Sequence, residues 1–207
     1  ASDDNLQLML LRTSKPVRVG RRGVTPSMKS ATRNIAKKGV FMPPVPSPAT
    51  AALTRELADA LLSRGLVCAT AESCTGGLIG AALTTLPGSS RWYAGGVVAY
   101  ANEVKTTLLG VPADVLAAHG AVSRPVAESM ARGVRRATGA DVGLSVTGVA
   151  GPGGGSADKP VGSVWLGWSL GDETRAELRR FDGDRDAVRA AAVENALSGL
   201  LEWMRRR

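Results

Sequence analysis

A chain of 207 residues with 44% apolar residues is long enough for one well-buried domain and barely for two. Aromatic residues make up only 4%, so the core must come from small aliphatic side chains packed closely between helices and a sheet. The net charge of +8 does not predict a nucleic-acid-binding domain: residues 1–49 hold nine Lys and Arg against Asp3 and Asp4, a net +7, which leaves +1 for the rest.

Cys68 and Cys74 are the only cysteines and His119 the only histidine. That inventory excludes a disulfide framework and a Cys/His zinc set, and it fits a reducing cytosol. No apolar run approaches the ~20 residues that span a bilayer. The Leu8-Met9-Leu10-Leu11 run lacks the basic start and cleavage site of a signal peptide. The expectation is a soluble, cytoplasmic protein.

Residues 1–49 show no sustained helical or alternating period and end in a Pro43-Pro44-Val45-Pro46-Ser47-Pro48 linker, which predicts a disordered basic tail. Its origin is left open between a transit peptide, an extended gene start with Met28 or Met42 as the true beginning, and a binding arm. The folded domain is expected over 50–207. It opens with Leu53, Leu57 and Leu61 on one helix face ended by Gly65, then a Leu66-Val67-Cys68-Ala69 strand. Gly76-Gly77 lead a helix through Leu86. Further strands are predicted at 96–100, 142–146 and 161–170, with a helix capped by Ser123 and carrying Pro125 in its first turn. Gly171-Asp172 marks a hairpin into 176–181. A last helix runs from about Asp184 to Met204. Alternation of strands and helices with a late hairpin predicts a three-layer α/β/α sandwich around a mixed sheet.

Ligands of open α/β sheets collect beyond the carboxyl ends of strands, and three polar clusters follow predicted strands there. They are Thr70–Gly77, Tyr100–Lys105 and the glycine-rich Thr147–Ser156. Ser73 stands where a helix N-terminus presents N–H groups to a developing oxyanion. With His119 in an Ala-rich helix end, a Ser-His-Asp triad is disfavoured, which leaves Lys105 as the base candidate. Burial or a neighbouring cation must then lower its pKa. Cys74 is the rival nucleophile. The glycine loop lacks the P-loop pattern, and Asp182, Asp184 and Asp186 read as partners of a helix dipole rather than metal ligands.

The segments Ala71–Gly77, Gly88-Ser89-Ser90, Tyr100–Lys105, His119–Ser123, Val146–Pro152 and Lys159–Gly162 together resemble the CinA C-terminal domain family. The resemblance runs from about Leu53 to Arg206. It implies a nicotinamide-nucleotide amidohydrolase that needs no metal or other cofactor, acts on nicotinamide mononucleotide in pyridine-nucleotide salvage, and assembles as a homodimer. Carried over residue by residue, the nucleophile falls on Ser73 and the lysine on Lys105, with Tyr100 and Thr147 as further catalytic positions. Substrate positions fall on Thr75, Gly76, Gly77, Ser90, Asn102, Gly148, Gly151, Gly154 and Arg185, with Arg189 one turn from Arg185 as the other candidate for the phosphate. Longer relatives carry an N-terminal nucleotide-processing domain, for which residues 1–49 offer no material. The alternative from another class is a non-catalytic competence or DNA-damage accessory module that binds through the basic tail.

Overall fold

The computed structural model describes residues 46–207. The expected disordered tail thus lies outside the described residues, apart from its last positions. Those positions already belong to the fold. Helix α1 spans Pro48–Leu62, with Ser47 as its N-cap accepting from the Thr50 N–H at 3.0 Å and Pro48 in its first turn. A proline there sacrifices no helical hydrogen bond and brings a preset φ, so Ser47-Pro48, read as linker from its proline content, starts a helix instead. Ser47 and Thr50 both donate to Glu194 Oε1, at 2.6 and 3.0 Å, which ties the start of α1 to the last helix.

Strands β1 (Cys68–Glu72), β2 (Tyr93–Val98) and β3 (Val142–Gly148) are followed by the hairpin of β4 (Ser163–Leu170) and β5 (Glu173–Arg180). The sheet order is β2-β1-β3-β4-β5. The first three strands pair in parallel, and β4 and β5 are antiparallel. Leu170 pairs with Glu173, so Gly171-Asp172 form the whole hairpin loop, as expected. Helices α2 (Leu78–Leu83) and α6 (Arg185–Arg205) join α1 over one face. The other face carries α3 (Asn102–Leu109), α4 (Ala113–His119) and α5 (Arg124–Thr138). The mixed sheet with helices on both sides is the predicted architecture.

Two cores result. One packs Leu57, Leu61, Ile79, Leu83, Val188 and Leu197 against Leu144, Leu166 and Trp168 of the sheet. The other sets Leu109, Val126, Met130 and Val134 against Ala69 and Ala71. Each fully buried Leu or Val contributes about 1.5–3 kcal/mol. The small residues have a positional reason: a Cβ on Gly143 would stand 2.0 Å from the Ala131 carbonyl. Glycine in β3 therefore lets the α5 backbone lie directly on the sheet.

Strand boundaries differ from the sequence reading. The apolar run Leu66–Ala69 only begins β1. Leu66 N–H closes α1 on the Leu61 carbonyl, and Val67 turns to the Asp141 carboxylate. The body of the strand includes Thr70 and Glu72, buried polar residues that find partners inside the fold. Strand β2 likewise begins at Tyr93, ahead of the apolar run. Ser123 stands at the N-cap of α5, but its hydroxyl donates to the Gly120 carbonyl at 2.8 Å instead of accepting from the helix.

Candidate active site

Strand β1 lies between β2 and β3, both parallel to it, so the chain leaving its carboxyl end at Ser73 emerges in the middle of one sheet end. The turn there is organised by Glu72, a buried carboxylate to which sequence reasoning assigned no role. It accepts from the Thr75 hydroxyl (2.8 Å) and from the N–H groups of Gly77 (2.9 Å), Ile79 (3.1 Å) and Gly80 (2.8 Å). A carboxylate seated on a helix N-terminus satisfies donors that would otherwise be orphaned and complements the dipole. Gly76 and Gly77 sit at φ +61° and +96°, a left-handed path that other residues adopt at a cost. Thr75, Gly76 and Gly77 thus shape the turn, and none of them lines the cavity.

The expectation that the start of α2 offers free N–H groups to an oxyanion is corrected here. Glu72 occupies those of Gly77, Ile79 and Gly80, and the Leu78 N–H reaches the Thr75 carbonyl. Among the described residues the N–H groups of Cys74 and Thr75 donate to no protein acceptor, and they directly follow the serine.

Lys105, on the second turn of α3, is 1% exposed and Ser73 9%. The lysine is therefore no solvated surface residue. Its Nζ lies 3.2 Å from Ser73 Oγ, 2.7 Å from the Ala99 carbonyl and 3.3 Å from that of Tyr100. Burial pushes the ammonium below its ordinary value of 10.5, against the opposing pull of Cys74 and Glu103. No carboxylate of the described residues lies within ion-pair distance of it. In the neutral amine two N–H bonds serve the two carbonyls, and the lone pair is left for the serine O–H. Such an arrangement can draw a proton from a hydroxyl.

Ser73 and Lys105 open into a cavity of about 210 Å³ whose walls include Cys74, Tyr100, Asn102, Thr147, Gly148 and Arg185. Arg185 donates to the Gly151 carbonyl (2.7 Å) and to the Tyr100 hydroxyl (3.1 Å). Both acceptors are neutral, so its charge stays available to an anion. Arg189 turns away, donating to the Thr75 carbonyl at 3.1 Å, and of the two arginines only Arg185 reaches the cavity. Thr147 donates to the Ala121 carbonyl at 2.9 Å. Tyr100 is 62% exposed, with its hydroxyl on Arg185 and its carbonyl on the lysine.

Other sequence candidates fall elsewhere. Ser90 belongs to a short helical turn, Ser89–Arg91, just before β2. Since β1 and β2 run parallel, it lies at the opposite end of the sheet from Ser73. Gly154 is exposed in the loop after β3 and does not line the cavity. Ala121, Val122 and Ala150 do line it. The sequence segments containing them were singled out, but apolar side chains gave no chemical reason to place them in a wall. Burial pushes the Cys74 thiol up to about 11 and that of Cys68 to about 12. Cys74 is accordingly a protonated wall residue at neutral pH. Asp184 caps α6 by accepting from the Ala187 N–H, and Asp186 faces Arg189, as their helix-dipole reading anticipates. Among the described residues no helix is long and apolar enough to cross a membrane.

Known proteins share this arrangement of elements. The family model for the CinA C-terminal domain matches residues 50–204. A Pseudomonas putida protein named nicotinamide-nucleotide amidohydrolase PncC is 54% identical over 133 residues, covering 64% of this chain and 83% of that protein. A CinA-like protein of Gemmatimonas aurantiaca is 52% identical over 149 residues, covering 70% of this chain and 35% of the relative. The chain thus spans about a third of the length of that relative. Among solved structures, a CinA superfamily protein from Klebsiella pneumoniae aligns with a TM-score of 0.74 at 39% identity, over 76% of this chain and 99% of that one. The competence/damage inducible protein CihA of Agrobacterium tumefaciens gives 0.74 at 40% identity, over 77% and 98%. On sequence and fold alike, the chain belongs to the CinA C-terminal domain family.

Proposed function

We propose that this chain is an amidohydrolase that converts nicotinamide mononucleotide and water to nicotinate mononucleotide and ammonia in pyridine-nucleotide salvage, with Ser73 as nucleophile and Lys105 as its base. The observation that carries the reading is the 3.2 Å separation of Lys105 Nζ and Ser73 Oγ within a shared cavity. The name of the Pseudomonas putida relative supports the substrate.

In this mechanism the neutral amine takes the Ser73 proton as Oγ attacks the carboxamide carbon. The oxyanion meets the N–H groups of Cys74 and Thr75. The Lys105 ammonium returns its proton to the departing nitrogen, ammonia leaves, and an acyl-serine ester remains. Water, deprotonated by the same amine, hydrolyses the ester and restores Ser73. Thr147 and Asn102 orient the ring and ribose from the cavity wall, and Arg185 binds the phosphate through the N–H groups not already given to Gly151 and Tyr100.

The test is incubation of the whole chain with nicotinamide mononucleotide and EDTA, with ammonia and nicotinate mononucleotide quantified together. Equimolar release is expected. Arg185→Ala should raise KM by about 10- to 100-fold with a smaller effect on kcat, since a charge-assisted hydrogen bond contributes about 1.5–3 kcal/mol. No ammonia from this nucleotide removes the substrate assignment, and loss of activity with EDTA removes metal independence.

A reducing cytosol is the proposed setting, supported by two free, buried cysteines. A homodimer is the proposed assembly. Strand β2 is a sheet edge among the described residues and has no charged side chain; its Val98 is 50% exposed and Tyr100, just beyond it, 62%. The opposite edge, β5, is blunted by Glu173, Arg175, Glu177, Arg179 and Arg180. Sedimentation should show a dimer that Val98→Asp converts to monomer; a wild-type monomer would exclude it. The alternative reading as a DNA-damage accessory module rests on the basic tail, outside the described residues.

A further inference from the structure

We infer that the far end of the domain holds a second site, for a small phosphate-bearing anion, built from Arg132, Arg135 and Arg136. The three stand at positions i, i+3 and i+4 near the C-terminus of α5, a spacing that places them on one face. They line a cavity of about 330 Å³ together with Gly139 and Ala140, which lead into β3. Thr147, at the other end of β3, lines the catalytic cavity. The strand residues 142–146 separate the two places, which puts Ala140 about 20 Å from Thr147 at ~3.3 Å per residue.

The charges of this cluster are not neutralised among the described residues. Among the described residues none of the three arginines has a carboxylate within ion-pair distance. Asp141, the nearest acid in sequence, accepts from the Val67 N–H at 2.9 Å and is not part of the wall. Arg135 is anchored by Nη1 to Ser169 Oγ (3.0 Å) and to the Gly171 carbonyl (2.6 Å), while its Nε–H is buried with no hydrogen-bond partner among the described residues. A buried donor left unpaired costs about 1–3 kcal/mol. Cations in a last helical turn do offset the dipole, but that dipole amounts to about half a charge. Three guanidinium groups exceed it severalfold and repel one another.

An anion in the cavity would offset the unbalanced charge, and the guanidinium fork matches phosphate oxygens in pairs. Among the described residues no aromatic side chain lines the cavity, so they offer no stacking platform of the kind that single-stranded nucleic acid uses. The occupant is accordingly a compact phosphate or diphosphate group.

The experiment titrates the full chain with pyrophosphate in about 0.15 M salt, where loose surface attraction is screened. Amide resonances of Gly139 and Ala140 and the Arg135 Nε–H signal are followed by NMR. Saturable shifts at these nuclei are expected at submillimolar pyrophosphate. Arg132→Ala/Arg136→Ala should weaken binding by about tenfold or more, each tenfold being about 1.4 kcal/mol, and leave the phosphate-free melting temperature unchanged or raised. Should that variant unfold, Arg132→Lys/Arg136→Lys keeps the charge but not the fork and is expected to bind several times more weakly. Because residues 1–49 carry net +7, only these local shifts count as binding. Absence of saturable shifts at millimolar pyrophosphate, equal affinity in the variants, or shifts produced by duplex DNA but not by pyrophosphate would overturn the site.

Discussion

Ser73→Ala is expected to lower kcat by about 10⁴-fold or more, the scale for deleting a nucleophile that acts as a unit with its base. The fold should be spared. The side chain is nearly buried, but the backbone of residue 73 carries the structural bond, its N–H donating to the Val146 carbonyl at 2.9 Å. Among the described residues the only side-chain bond lost is the one to Lys105. Melting temperature and circular dichroism should therefore match the wild type, and the variant should still bind nicotinamide mononucleotide. Product formation within tenfold of wild type would eliminate the serine mechanism. A collapse of the melting temperature would instead show that Ser73 is structural.

Lys105→Met should be equally silent in catalysis, and its signature lies in the dependence on pH. Burial lowers the lysine's pKa from 10.5, so the neutral, base-competent form is reached at lower pH than for a free lysine. In the wild type kcat/KM should rise with pH and level off below 10.5, a limb that Met abolishes. Stability supplies an independent reading. Between the lowered folded-state pKa and 10.5 the unfolded chain binds more protons than the native one, so wild-type stability must rise with pH across that window. Relative to Lys105→Met, the wild type gains as pH rises and the gain stops above 10.5. Denaturant melts of both proteins across this range measure it. A pH-independent difference would mean that the lysine is not perturbed by burial.

Much of this site was legible because its chemistry is carried by residue types that have few other reasons to follow strands. Ser73, Asn102, Lys105, Thr147 and Arg185 were all placed at the site from motif positions, and the cavity contains each of them. What escaped depends on backbone geometry. Glu72 sits in the same motif as Ser73, yet its part in closing the turn is visible only when the Gly77, Ile79 and Gly80 N–H groups are seen converging on it. That convergence also removes the helix N-terminus as an oxyanion site. Ser90, carried over from the family resemblance, precedes β2 and so stands at the other end of the parallel pair from Ser73, a separation that only the topology reveals. The strand ends of β1 and β2 shifted because hydrophobicity marks burial, whereas pairing extends through any residue whose polar atoms are satisfied. Thr70 does this through the Tyr93 hydroxyl at 2.8 Å.

The three contacts of Lys105 Nζ have one more outcome. Two of them hold the carbonyls of Ala99 and Tyr100, the residues that leave β2, and Ala99 N–H in turn grips the Glu72 carbonyl at 2.7 Å. The amine is therefore also a clasp on a strand that, among the described residues, is outermost and has a neighbour on one side only. Altering it releases a selvedge of the molecule as well as a reagent, whereas altering the hydroxyl opposite leaves the weave intact. For anyone wishing to trap a bound nucleotide in an inert protein, position 73 is the place to intervene, and position 105 is not.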